Sequence, residues 1–285
     1  MLQLVNFLAQ NARQLPDKTA LVFKERSLTW KELNAQVNAL ANGLSDIGVC
    51  KGDTVAYFMR NSVELVVIWW ATQKIGAIAL PVSTFLLPRE IEEILSVTDC
   101  KTIIYQDIKD FRSRLESATE NLPHPLCTLV IGRAAQGEID FCDLLSQSSD
   151  EESEIELEEE DGSLLLFTSG TTGAPKGVLR TQRIVRDYAL MLAIENTTDR
   201  NEIVLMTHCP MFHTAGMSIL MRAAVLGAPL ILVEGCHEHE VLSLIDRHRV
   251  THLLFVPPTL YVRLAAVDDG SYDLSSVVEA QCSGG

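Results

Sequence analysis

The chain has 285 residues, 47% of them hydrophobic and 21% charged, enough for one large domain or two modest ones around a sizeable core. Its net charge of −15 argues against non-specific nucleic-acid binding, which needs a basic surface. The longest apolar run, Leu65–Ala71, falls far short of the roughly 18 residues that a membrane helix requires, and seven cysteines with no CxxC pair suit reduced thiols in a cytoplasmic protein rather than a disulfide framework.

In chain order, Leu4, Val5, Leu8 and Ala12 recur at helical spacing and predict an amphipathic helix that stops before Pro16, not a signal peptide. Ala20–Phe23 reads as a strand. Thr29-Trp30-Lys31-Glu32 is a capping box, followed by a helix whose apolar face carries Leu33, Val37, Leu40, Ala41 and Leu44. A strand at Val55–Phe58 precedes a strongly apolar helix at Val63–Ile75, where Trp69-Trp70 reads as core and Gly76 as a left-handed C-cap. A strand at Ala77–Leu80, a helix at Arg89–Val97 and a strand at Thr102–Tyr105 continue the rhythm. After Asp150–Asp161 the alternation resumes: strand Ile203–Met206, helix Met217–Leu226 with Gly227 behind it, strand Pro229–Val233, helix Glu238–His248 and strand His252–Val256. Strand–helix–strand alternation predicts parallel pairing with right-handed crossovers, an α/β architecture.

Nine acids crowd Asp150–Asp161, and without them the net charge is −6. Such a block repels itself and reads as a solvated linker. The expected organisation is therefore a first α/β lobe over 1–149, an acidic linker over 150–161 and a second α/β lobe over 162–285.

The stretch LLLFTSGTTGAPKGVLRT, Leu164–Thr181, carries the chemistry. Its apolar lead is a buried-strand type, and Gly177-Val178-Leu179 reads as extended, so the loop joins two strands. Between them Gly170 and Gly173 let successive N–H groups turn toward one point, making an anion nest. Ser169, Thr171 and Thr172 add donors, and Lys176 adds a mobile positive charge. A Walker P-loop fails on two counts: Lys176 follows Pro175 rather than Gly, and precedes Gly177 rather than a hydroxyl.

The run TSGTTGAPKG resembles the phosphate-loop signature of the adenylate-forming, AMP-binding superfamily, which includes acyl-CoA synthetases, aryl-CoA ligases, luciferases and amino-acid adenylation domains. LTWKEL (Leu28–Leu33), KIGAIALPV (Lys74–Val82), PMFHTAG (Pro210–Gly216), VTHLLFVPP (Val250–Pro258) and Ser283-Gly284-Gly285 resemble further family motifs in the same order. The resemblance implies the layered parallel-sheet architecture of the family's N-terminal domain, cut short. It also implies attack of a carboxylate on the α-phosphorus of ATP, giving an acyl-adenylate and pyrophosphate, then capture of the acyl group by coenzyme A. Thr168, Ser169, Gly170, Thr171, Thr172, Gly173 and Lys176 would grip the phosphates, Thr172 would serve Mg2+, and Ser283, Gly284 and Gly285 would begin the adenine-contacting segment. Neutralising an anion that attacks a polyanion is the work such groups do. In amino-acid-activating relatives an Asp tends to follow the motif's Phe. Here Phe212 is followed by His213, the acyl- and aryl-CoA ligase form, and His213 would orient the carboxylate of a small organic acid. Met217, Met221 and Val256 are candidates to face its acyl chain.

Two further clusters read as structural. Cys236-His237-Glu238-His239 lacks a partner cluster at metal-site spacing and opens a helix. Cys209, near His208 and His213, lacks an orienting third group and reads as a buried thiol. The family's magnesium-holding Glu, ribose-binding Asp, hinge and C-terminal lysine have no counterpart in this sequence. The expectation is thus a carboxylate–CoA ligase portion, inactive or nearly so by itself, that works with a missing C-terminal portion or an oligomer partner. The alternatives are a naturally short, non-catalytic relative that binds a nucleotide, an acyl group or a partner, and another adenylate-forming activity.

Overall fold

A computed structural model describes residues 2–152, 155–168, 176–194, 199, 202–235 and 237–282. Among these the chain runs α1 (Leu4–Gln14), β1 (Thr19–Phe23), β2 (Arg26–Thr29), α2 (Trp30–Asp46), β3 (Thr54–Phe58), α3 (Val63–Ile75), β4 (Ile78–Pro81), α4 (Pro88–Val97), β5 (Thr102–Gln106), α5 (Phe111–Thr119), β6 (Cys127–Ile131), β7 (Ile139–Asp140) and α6 (Phe141–Gln147). It continues as β8 (Gly162–Thr168), β9 (Lys176–Thr181), α7 (Gln182–Ile194), β10 (Leu205–Thr207), α8 (Thr214–Leu226), β11 (Leu230–Leu232), α9 (Glu238–His248), β12 (His252–Leu254), α10 (Thr259–Val267) and β13 (Glu279–Gln281). The α/β class expected from the alternation holds, and among the described residues no helix is long and apolar enough to cross a membrane.

The division into compact units does not follow chain order. Unit 1 takes the residues up to Val5, Asn34–Arg60 and Glu64–Arg186; unit 2 takes Asn6–Leu33, Asn61–Val63 and the residues from Asp187 onward. This corrects the expected boundaries at 149, 150–161 and 162. The hairpin β8–β9 belongs to the first sheet, and β1 and β2 belong to the second. The physical reason is strand pairing, which ties elements by register rather than by sequence distance.

Unit 1 holds a sheet of order β7-β6-β5-β3-β4-β8-β9, parallel except for antiparallel β9. Ile91, Ile94 and Leu95 of α4 and Phe111 and Leu115 of α5 pack on Ala56, Phe58, Leu80 and Ile103 of its strands. Helix α3 is strongly apolar between Glu64 and Gln73 and buried on most sides. Trp69 and Trp70 are fully buried and meet edge to face, ring centroids 4.6 Å apart. Gly76 ends α3 at φ 68°, the left-handed cap expected there.

The acidic run is no free linker. Asn34, Asn38 and Asn42, one turn apart on α2, present a ladder of carboxamides to it: Nδ2 of Asn34 donates to Glu152 Oε1 (2.8 Å), Asn38 to the Asp150 carbonyl (2.9 Å) and Asn42 to those of Ser149 (2.7 Å) and Glu151 (3.0 Å). The buried Lys74 pairs with Glu152, Lys51 with Asp161 at 2.7 Å, and Arg186 with Glu159 at 2.6 Å. Burial pushes the Glu152 and Asp161 carboxyls up, but Lys74 and Lys51 outweigh it and hold both below the ordinary carboxylate range. Fixed cations and amide donors, supplied from residues far upstream and downstream, turn a self-repelling block into a strap.

Unit 2 holds a sheet of order β13-β12-β10-β11-β1-β2, parallel except for β2. The capping box at its edge forms as expected: Thr29 N–H donates to Glu32 Oε2 (2.8 Å), and Glu32 N–H donates to Thr29 Oγ1 (3.2 Å). Asn11 of α1 donates to the Ala224 carbonyl at 2.7 Å, adding to the Gly227 N–H that this carbonyl accepts at 3.3 Å at the end of α8. Val241, Leu242 and Ile245 of α9 fill the core with Met206, Ile231 and Leu253 of the sheet.

Candidate functional site

In unit 1, β8 and β9 form an antiparallel hairpin. Phe167 pairs with Gly177 and Thr168 with Lys176, so the ladder closes at the residues that flank the loop. This is the strand–loop–strand arrangement expected from the apolar runs on both sides. Gly177 packs closely on the facing strand: a Cβ there would lie 3.1 Å from Phe167 Cζ and 3.2 Å from Leu165 Cδ1. Lys176 is exposed at the head of β9. The base of the hairpin is locked below it, where Gln73 Nε2 donates to the Ser163 carbonyl (3.2 Å), the Ser163 hydroxyl donates back to Gln73 Oε1, and Gln182 Nε2 reaches the same oxygen at 3.5 Å. A rigid base under an exposed cation is what a polyphosphate grip needs. Ser169, Gly170, Thr171, Thr172, Gly173 and Pro175, like Ser283, Gly284 and Gly285, lie outside the described residues.

In unit 2 the second group of candidates sits past the carboxyl ends of the parallel strands β10 and β12, where ligands of open α/β sheets bind. Thr207 ends β10; its hydroxyl donates to the Leu254 carbonyl (2.9 Å) and accepts from the Cys209 N–H (3.0 Å), tying the two strand ends together. His208 Nε2 accepts from the Val256 N–H at 3.3 Å, which places the ring proton of the neutral form on Nδ1, and burial holds its pKa below the ordinary histidine value. The Cys209 thiol is buried, donates to the Leu254 carbonyl (3.5 Å) and is pushed up by that burial, so it is a structural thiol as expected. The Tyr261 hydroxyl accepts from Phe255 N–H (3.2 Å) and donates to the Gln281 carbonyl (2.5 Å); burial pushes it up to about 12.

His213 occupies the N-cap position of α8, which starts three residues earlier than the expected helix. Its N–H donates to the Pro210 carbonyl (3.0 Å) and its carbonyl accepts from Met217 N–H (3.2 Å), so the residue is fixed on both sides by its backbone. The ring is exposed beside that of Phe212, centroids 4.6 Å apart, yet its surroundings strip enough hydration to hold its pKa below the ordinary value. A neutral imidazole is therefore favoured at neutral pH, able to donate or accept a hydrogen bond without carrying charge. Gly216 permits the turn: a Cβ there would lie 2.5 Å from the Pro210 oxygen and 2.7 Å from that of Cys209.

Met217 and Met221 are buried in the core, while Val256 is half-buried at the strand end. Cys236 lies outside the described residues; Glu238 pairs with Arg263 (2.5 Å) and His239 with the Tyr272 hydroxyl (3.3 Å). The sequence reading named His208 only as a neighbour of Cys209 and missed Tyr261 and Asn61. Asn61 donates from Nδ2 to the Cys209 carbonyl (3.0 Å) and accepts from Met211 N–H (2.9 Å). A lone Asn before a helix is indistinguishable from an ordinary cap in sequence, so no local signal marked it.

The chain is 33% identical to the long-chain-fatty-acid–CoA ligase FadD13 of Mycobacterium tuberculosis over 229 residues, covering 78% of this chain and 43% of that protein. It is 27% identical to 4-coumarate–CoA ligase 2 of Solanum tuberosum over 287 residues, covering 97% and 51%. The crystal structure of the anthranilate CoA ligase AuaEII in complex with anthranoyl-AMP superposes with a TM-score of 0.88 at 29% identity, over 99% of this chain and 55% of that one. The chain thus spans about half the length of the curated relatives it matches. With residues 8–285 matching the AMP-binding enzyme family, the chain belongs to that family.

Proposed function

We infer that the chain binds ATP at the β8–β9 loop and takes part in activating a small carboxylic acid, of acyl or aryl type, as its adenylate for transfer to coenzyme A. One observation carries this reading: the hairpin whose ladder ends at Thr168 and Lys176, the residues that flank the hydroxyl- and glycine-rich stretch of the sequence, with Lys176 exposed. That cation fits a polyphosphate, whose charge it offsets as pyrophosphate departs. The Mg2+ assigned to Thr172 rests on the family resemblance, since Thr172 lies outside the described residues; when bound, the ion supplies further charge neutralisation at the phosphates. His213, neutral and fixed by its backbone, would meet the acid. The relatives act by name on a long-chain fatty acid and on 4-coumarate, which supports an acid with an apolar or aromatic body.

Calorimetric titration with ATP and AMP, together with pyrophosphate exchange over a panel of fatty, aromatic and amino acids, tests the reading. ATP binding that Lys176→Ala weakens by about tenfold, the range of a charge-assisted contact, is expected. No nucleotide binding would refute the assignment, and binding with no exchange for any acid would mark a nucleotide-binding relative instead of a working ligase.

A further inference from the structure

The turn that carries His213 is held by a residue about 150 positions upstream. Asn61 lies between β3 and α3, within unit 2, with only 8% of its surface exposed. Its carboxamide straddles Pro210: Nδ2 donates to the carbonyl of Cys209 (3.0 Å), and Oδ1 accepts from the N–H of Met211 (2.9 Å). Pro210 has no N–H of its own, so the residues on either side offer one acceptor and one donor, and among common side chains a carboxamide supplies both complements in one rigid plane. The Pro210 carbonyl is then left for His213 N–H. Gly216 approaches the Cys209 and Pro210 carbonyls so closely that no side chain fits between. The segment is thus bridged by the Asn61 amide and crowded by the backbone of α8 at Gly216.

We propose that Asn61 is a positioning residue for His213: by bridging Cys209 and Met211 across Pro210 it fixes the turn on which the imidazole is presented. This rests on reading His213 as the group that meets the acid. Asn61 touches no reacting atom. It acts through the backbone of the turn that ends at His213.

The test uses the full chain with 13C-labelled histidine rings, comparing wild type, Asn61→Ala and Asn61→Asp. Asn61→Ala removes both bonds. Asn61→Asp keeps the acceptor for Met211 but sets a carboxylate against the Cys209 carbonyl, and serves if the alanine variant does not fold. In the alanine variant, Met211 amide exchange should accelerate about tenfold or more, as expected for a lost buried hydrogen bond. The His213 titration midpoint should rise toward the ordinary histidine value, while that of His248 on α9 stays put. A merely structural role would lower the melting temperature and leave the His213 midpoint, read well below melting, where it was; that result overturns the proposal. Binding of benzoyl-sulfamoyl adenosine and of AMP separates the two inferences. Weakened binding of the acyl-adenylate mimic with AMP binding unchanged supports both. A shifted His213 midpoint with unchanged binding of the mimic upholds the positioning and overturns the role of His213 toward the acid.

Discussion

Replacing Gly216 with alanine sets two opposite effects against each other. Gly216 is the third residue of α8, where alanine is favoured over glycine by about 1 kcal/mol of helix propensity. The new Cβ would lie 2.5 Å from the Pro210 oxygen, 2.7 Å from the Cys209 oxygen and 2.8 Å from the Pro210 carbonyl carbon. All three are backbone atoms, and the Asn61 bonds and the Thr207 cap prevent their retreat. Overpacking costs about 1–3 kcal/mol, and a clash with pinned backbone belongs at the top of that range. The net expectation is a loss of about 2 kcal/mol, a melting temperature lower by roughly 4–8 °C at the usual 2–4 °C per kcal/mol for a domain of this size. Circular dichroism melts measure the shift, and faster exchange at the Met211 and His213 amides localises it. A melting temperature equal to or above wild type would show that helix propensity governs the position and would refute the packing argument.

The acidic strap makes a pH prediction with a definite sign. Glu152 and Asp161 have depressed pKa values, so the stability they contribute is present above their unfolded values near 4 and is lost as pH falls through the folded ones. The gap in denaturant midpoint between wild type and Glu152→Gln should hold from neutrality to mild acid and close below it; a gap that widens on acidification would contradict this. Because the asparagine ladder uses neutral donors, the strap should resist a glutamate-specific protease even at high salt, and Asn38→Ala with Asn42→Ala should expose it to rapid cleavage. Asn11→Ala leaves the Ala224 carbonyl with only its Gly227 N–H and should cost about 0.5–1.5 kcal/mol in denaturant unfolding.

Local chemistry was readable in the sequence where the cause itself is local. The capping box at Thr29 and Glu32, the left-handed glycines 76 and 227 and the strands flanking the phosphate loop each depend on residues within a few positions of one another. Helix α3 was legible because it is so strongly apolar between Glu64 and Gln73. Sheet membership was not: nothing in Ala20–Phe23 announces that its partner strand is Leu230–Leu232. The acidic run was misread for the same reason, since composition records its self-repulsion but not the three asparagines on α2 that hold it. Strands as short as β7 and β13 carry too few residues for a periodicity, and form because a neighbouring strand offers a free edge. At the candidate site, the residue types of the loop and His213 were evident, whereas Asn61 and Tyr261 act through backbone groups whose proximity only folding creates.

The pairing of Leu21 with Leu230 has a consequence for how the protein is made. At about 5–20 residues per second, a ribosome needs roughly 10–40 s after emitting β1 to deliver β11. Throughout that interval the apolar strand has its antiparallel neighbour β2 and nothing on its other side, while all the strands of unit 1 emerge. Such non-local closure is slow and leaves an adhesive edge open. Nor can one cut separate the two units, since unit 2 is assembled from three segments of chain and unit 1 is threaded between them. A cut after Arg186, for instance, keeps every segment of unit 1 but leaves unit 2 without its largest segment.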